Sequence, residues 1–101
     1  MRTTKKDFDK FLTRLFAMQR DCFKQGSKSS LEVRPKFEDD FVIYVTATNE
    51  NVNRFYTNAD GKGSICHFDM FPLYQFRSVE ENERTMKKIK DFLTDTGDEQ
   101  H

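Results

Sequence analysis

The sequence predicts a single α+β domain in the order α-β-β-β-β-α, with an antiparallel meander sheet and both helices packed on one of its faces. Three observations carry this expectation. Each end of the chain has apolar residues at helical spacing behind a capping signature, and the middle has short β-branched and aromatic runs separated by turn residues. The connections between those runs are only a few residues long, which suits hairpins, whereas parallel strands need long crossovers. At 101 residues the chain has room for one domain, expected over 1–94, with an acidic tail over 95–101.

The first helix is expected to start at Thr4-Lys5-Lys6-Asp7, where a hydroxyl caps free amides and an acid sits near the positive end of the dipole. Phe8, Phe11, Leu12, Leu15, Met18 and Cys22 then fall on one broad face, with Phe16 and Phe23 on its flank and Gln19 in its middle. Gln19 there is either hydrogen-bonded at a packing seam or marks a face that is only partly buried and contacts a partner. Leu31 to Arg34 alternates as a short strand that Pro35 ends or confines to a sheet edge. Phe41 to Thr48 is the strongest strand, Val52 to Asn58 the next, and Ser64 to Asp69 the last, reached through the turn residues 59–63. The segment 70–76 is apolar but broken by Pro72. Ser78-Val79-Glu80-Glu81 makes a capping box, behind which Val79, Met86, Ile89 and Leu93 share one helical face.

Composition narrows the chemistry. Leu, Ile, Val and Phe make up 24 residues, 11 of them Phe, enough for a concentrated core despite a mean hydropathy of -0.84. No apolar run approaches the ~18–20 residues of a membrane span. Two cysteines, Cys22 and Cys66, do not make a disulfide framework, and no Asn-x-Ser/Thr acceptor occurs, so a reducing, cytoplasmic setting is expected. The 17 basic and 17 acidic side chains cancel, but unevenly: residues 1–36 hold ten basic and four acidic groups, and the rest hold seven and thirteen.

Catalytic patterns are not found. There is no phosphate-binding glycine loop beyond Gly61-Lys62-Gly63, which reads as turn geometry, and no Cys/His spacing suited to zinc. Cys66 and His67 are strand neighbours that point to opposite faces, so they cannot share a proton, while His67 and Asp69 share a face. No enzyme activity, cofactor or metal is expected.

The surfaces are more informative. If 41–48 pairs with 52–58 around Asn49-Glu50-Asn51, Tyr44 lies opposite Tyr56 and Thr46 opposite Arg54. Phe41, Ile43, Val45, Ala47 and Phe55 then face the helices, and Val42, Tyr44, Thr46, Arg54 and Tyr56 occupy the open face. A compatible register for the last strand adds Cys66 and Phe68 to it; a one-residue slip brings Ile65 and His67 instead. Rings and an arginine on an open sheet form a stacking platform of the type single-stranded RNA binders use.

The helix–sheet–helix order, with Phe11-Leu12-Thr13-Arg14-Leu15-Phe16 in the first helix and Asp60-Gly61-Lys62 at a hairpin tip, resembles the small Alu-RNA-binding subunits of the signal recognition particle. The resemblance implies RNA as a ligand. Those proteins carry a basic sheet and a lysine-rich tail, whereas the strands and tail here are neutral to acidic, and no site residues carry over.

The expected function is a small non-enzymatic interaction module, an inhibitor, adaptor or complex subunit, binding another protein through the aromatic sheet face, the 68–76 segment or both, with Tyr44, Arg54, Tyr56, Phe68, Phe71 and Tyr74 as the contact residues. The alternative is a nucleic-acid binder using Lys5, Lys6, Lys10 and Arg14 for phosphates and the sheet platform for bases. A homodimer is a further way to hide an aromatic face, and no membrane partner is expected.

Overall fold

The computed structural model describes residues 1–24, 28–37, 41–52, 64–70 and 77–96. Among these residues five elements follow one another: α1 (Lys5–Lys24), β1 (Ser29–Phe37), β2 (Phe41–Asn49), β3 (Ser64–Met70) and α2 (Val79–Thr94). The strands form an antiparallel sheet in the order β1-β2-β3, so the fold is α+β, helix–sheet–helix.

Both helices begin as the sequence predicts. Asp7 N–H donates to the Thr4 hydroxyl at 3.2 Å, and Thr4 N–H donates back to the Asp7 carboxylate at 3.0 Å. At α2, Glu81 N–H donates to Ser78 Oγ at 3.1 Å while Glu81 Oε1 accepts from Ser78 N–H at 3.0 Å. Each box satisfies amides that the helix cannot pair internally. The segment before α1 is tied to the start of α2: Val79 N–H donates to Met1 C=O at 2.7 Å, and Asn82 Nδ2 donates to buried Thr3 Oγ1 at 2.9 Å.

Strand alternation sorts the sheet into two faces. On the inner face, Leu31, Val33 and Pro35 of β1 lie opposite Ala47, Val45 and Ile43 of β2, which lie opposite Cys66, Phe68 and Met70 of β3. Phe8, Phe11 and Leu15 of α1 and Met86, Ile89 and Leu93 of α2 close over this face in one core. Helix α1 lies along β1, and α2 lies over β2.

Two expectations change here. Among the described residues β2 is the central strand, with β1 on one side and β3 on the other. Tyr44 therefore faces Asp69, and Thr46 faces His67, in place of the pairing expected with Tyr56 and Arg54. Beyond buried Val52, the strand expected over 52–58 lies outside the described residues. β1 is also longer than expected and runs straight through Pro35. The reason is its ladder phase. Glu50 N–H donates to Lys28 C=O at 3.2 Å, so in this unbroken register the even-numbered β1 residues make the hydrogen-bonded pairs with β2. Pro35 falls at an odd position, where the backbone nitrogen points to the outer edge and no bond to β2 is lost.

Asn49, buried at the end of β2, fastens α2 to the sheet. Its Nδ2 donates to Phe92 C=O at 2.7 Å and Asp95 C=O at 2.8 Å, and its Oδ1 accepts from Asn51 N–H at 2.8 Å. Asn49→Ala removes the side-chain donor to the Phe92 and Asp95 carbonyls and the acceptor of the Asn51 amide, and is expected to cost roughly 2–4 kcal/mol in urea denaturation.

The helix starts also predict an acid response. Hydrogen bonds from the Thr4 backbone and hydroxyl hold the Asp7 carboxyl below its ordinary value. Glu80 is lowered by its own backbone N–H and by the Met1 amine, and Glu81 by the Ser78 N–H. A carboxyl whose pKa is lower folded than unfolded stabilises the fold above its ordinary value, and that gain disappears as pH falls through the folded value. The thermal midpoint should hold down to about pH 5 and fall below it. Glu81→Gln keeps an acceptor for the Ser78 amide without titrating and should shrink that fall.

Candidate functional site

The outer sheet face carries two complete cross-strand rows among the described side chains: Arg34–Tyr44–Asp69 and Glu32–Thr46–His67. It is a polar surface. Arg34 Nη2 reaches Glu32 Oε2 at 3.2 Å, Thr46 Oγ1 lies 3.4 Å from His67 Nδ1, and Tyr44 is the large ring on view at 39% exposure. Val42, at the end of the same face, is buried.

Of the six residues expected to bind a partner, Tyr44 stands on the open face as predicted. Phe68 does not. It lies opposite Val45 on the inner face and packs, half-buried, against the core. Cys66, carried to the open face by the same expected register, is also an inner-face residue, opposite Ala47. The cause is the direct β2–β3 pairing, which sets the phase of β3 and turns His67 and Asp69 outward. Arg54, Tyr56, Phe71 and Tyr74 lie outside the described residues.

The pairing also separates Cys66 from His67. Burial pushes the Cys66 thiol up on the inner face, while His67 is exposed on the other. Cys22 is a second free thiol, 3.8 Å from Ser29 Oγ, in a cavity of about 210 Å³ walled by Met18, Leu93 and the ends of both helices. Among the described residues, no group of three His, Cys, Asp or Glu side chains is placed to hold a metal ion.

Of the expected phosphate contacts, Lys5, Lys6 and Lys10 are exposed on α1. Lys6, Lys10 and Arg14 line a shallow groove with Asp9 and Thr13. Arg14 is already engaged: its guanidinium reaches Glu83 of α2 at 2.7 Å and lies 5.7 Å from the Phe11 ring centroid.

One surface, marked in the sequence by Gln19 in the middle of an apolar helix face, stands on the other flank of α1. Phe23 is 87% exposed and Phe16 45%, with Gln19 exposed between them and half-buried Leu12 in line. At 100° per residue, Phe16 lies roughly 160° around the helix from Arg14. Because Arg14 reaches α2, which lies over β2, this apolar flank faces away from α2, past β1. β1 is the sheet edge there, and no strand lies beyond it among the described residues. From the ladder phase, Leu31 and Val33 turn their N–H and C=O groups to that edge.

No known protein family, curated protein or solved structure matches the chain. Among the described residues, no helix is long and apolar enough to cross a membrane.

The reassignment of Phe68 can be checked by stability. Phe68→Ala should cost about 1–3 kcal/mol through lost core packing, and Tyr44→Ala no more than about 1 kcal/mol. Equal small losses in chemical denaturation would place Phe68 at the surface.

Proposed function

We propose that the chain is a non-enzymatic interaction module that docks another polypeptide on the α1 flank and the adjoining β1 edge. The observation that carries this reading is the exposure of Phe16 and Phe23 on one helix flank beside an edge strand. In a chain of mean hydropathy -0.84, two phenylalanines in water are costly, and a partner that covers them gains apolar burial together with backbone hydrogen bonds from the edge. Tyr44 belongs to a second, more polar surface. Adaptor, inhibitor and subunit are all roles such docking serves, and the free thiols of Cys22 and Cys66 support a reducing, cytoplasmic setting for it.

A second reading, nucleic-acid binding, is favoured by the row Lys6–Lys10–Arg14 along α1. It requires phosphate affinity that falls steeply with salt. Glu83 beside Arg14 and the mixed charges of the sheet face count against it.

One comparison separates the two readings. Affinity capture with the wild-type chain, with Phe16→Glu/Phe23→Glu and with Tyr44→Ala should recover the same protein partner from the wild type and Tyr44→Ala, and lose it from the double variant with its thermal midpoint unchanged. Retention of the partner by the double variant would overturn the docking surface. Salt-sensitive anisotropy binding to random single-stranded RNA, weakened by Lys10→Glu, would support the second reading.

A further inference from the structure

We infer that the polypeptide covering the α1 flank and β1 edge is an extended segment of another protein that adds to β1 as a strand, apolar at alternate positions and acidic at its two ends. The inference rests on the docking surface proposed above and adds its occupant.

Helix α1 overhangs the sheet. At 100° per residue, Phe8, Phe11 and Leu15 centre its core face, with Gln19 roughly 50° to one side of that centre and Met18 roughly as far to the other. Met18 is half-buried next to Leu93 of α2, whereas Gln19 is exposed. The difference lies in what is beneath. α1 packs along β1 and α2 along β2, and among the described residues no strand follows β1 under Gln19.

A strand one spacing of about 4.8 Å beyond β1 fills that place. Its side chains on the helix side, every second residue, meet Gln19, Leu12, Phe16 and Phe23. Its backbone meets the outward N–H and C=O groups of Leu31 and Val33. The two sets are level. Cys22 of α1 lies beside Ser29 of β1, and counting back at about 1.5 Å per helix residue and 3.3 Å per strand residue brings Phe16 and Leu12 abreast of Leu31 and Val33. The same overhang excludes a second copy joined through β1. Helices about 10 Å across, lying over strands one spacing apart, would overlap.

Charge supplies the ends. Lys5 lies on the flank in the first turn of α1, and Lys24 and Lys28 stand exposed where α1 gives way to β1. Among the described residues none of these three ammonium groups reaches a carboxylate. Asp21, a turn before Lys24, is engaged by Arg20 at 3.8 Å. Between the lysines the row Leu12, Phe16, Gln19 and Phe23 is uncharged. α1 and β1, of 20 and 9 residues, each run roughly 30 Å, so the acids of a matching strand stand about eight or nine residues apart.

The test is selection from a displayed library of random dodecapeptides, followed by amide hydrogen exchange on the chain with one selected peptide bound. Enriched sequences should alternate apolar residues between acidic ends. The peptide should slow exchange of the Leu31 and Val33 N–H groups by about tenfold or more. Lys24→Glu/Lys28→Glu should weaken binding roughly tenfold, and a peptide with lysines in place of the acids at one end should recover it. Phe16→Ser/Phe23→Ser should abolish binding with its circular dichroism unchanged. Enriched sequences with apolar residues at three- and four-residue spacing, unchanged exchange at Leu31 and Val33, or indifference to the lysine variant each overturn the acidic strand. If such peptides are still lost from Phe16→Ser/Phe23→Ser, the docking surface stands with another occupant. Peptides indifferent to that variant overturn both the occupant and the surface.

Discussion

The fold hangs on the inner face of β2. Ile43, Val45, Ala47 and Asn49 are all buried, and each strand and helix of the described structure is placed by what it does to that row. β1 and β3 pair with its two edges, α2 lies over it, and α1 reaches the same core from β1. Three of the four residues are apolar and gain by leaving water. Asn49 is the exception, and its position is fixed because both ends of its amide are used: the nitrogen for the carbonyls of Phe92 and Asp95, the oxygen for Asn51 N–H. A buried amide that is fully paired is directional in a way that apolar packing is not. It sets where α2 ends relative to the sheet, and the helix end would otherwise have carbonyls to satisfy with water.

Local signals in the sequence carried over into structure, and long-range ones only in part. The two capping boxes, the burial of Phe8, Phe11, Leu15, Met86 and Ile89, and the sidedness of β2 all depend on residues a few positions apart. The phase of β3 depends on which strand lies beside it, and that is a choice among distant segments. Counting its register through the 52–58 strand put Phe68 on the open face; direct pairing with β2 puts it on the core. Alternation alone within β3 favoured the observed phase, since Cys66, Phe68 and Met70 are less polar than His67 and Asp69. The assumption that successive strands are neighbours outweighed that alternation.

The first helix shows a different limit. Its apolar residues read as one broad face with Gln19 at the centre, yet the structure divides that face in two. Phe8, Phe11 and Leu15 enter the core, and Phe16, Gln19 and Phe23 face outward. Hydrophobic spacing marks which residues avoid water, but not against what. A small sheet gives each helix a narrow strip to cover, and the residues beyond that strip stay exposed whatever their polarity. Gln19 in such a row is the residue type that tolerates both states, wet in the lone chain and hydrogen-bonded at a contact.

This division bears on stability as well as binding. A domain of this size buries a modest share of its surface, and its margin of stability is correspondingly small. A partner that binds the folded chain and not the unfolded one adds to that margin by mass action. Pairing at β1 would act on the elements with the least intrinsic cover, an edge strand and the helix along it, while β2 and α2 are held by their own contacts. The exposed phenylalanines are then a reserve of apolar surface outside the core. An edge left open would be a template for any extended chain.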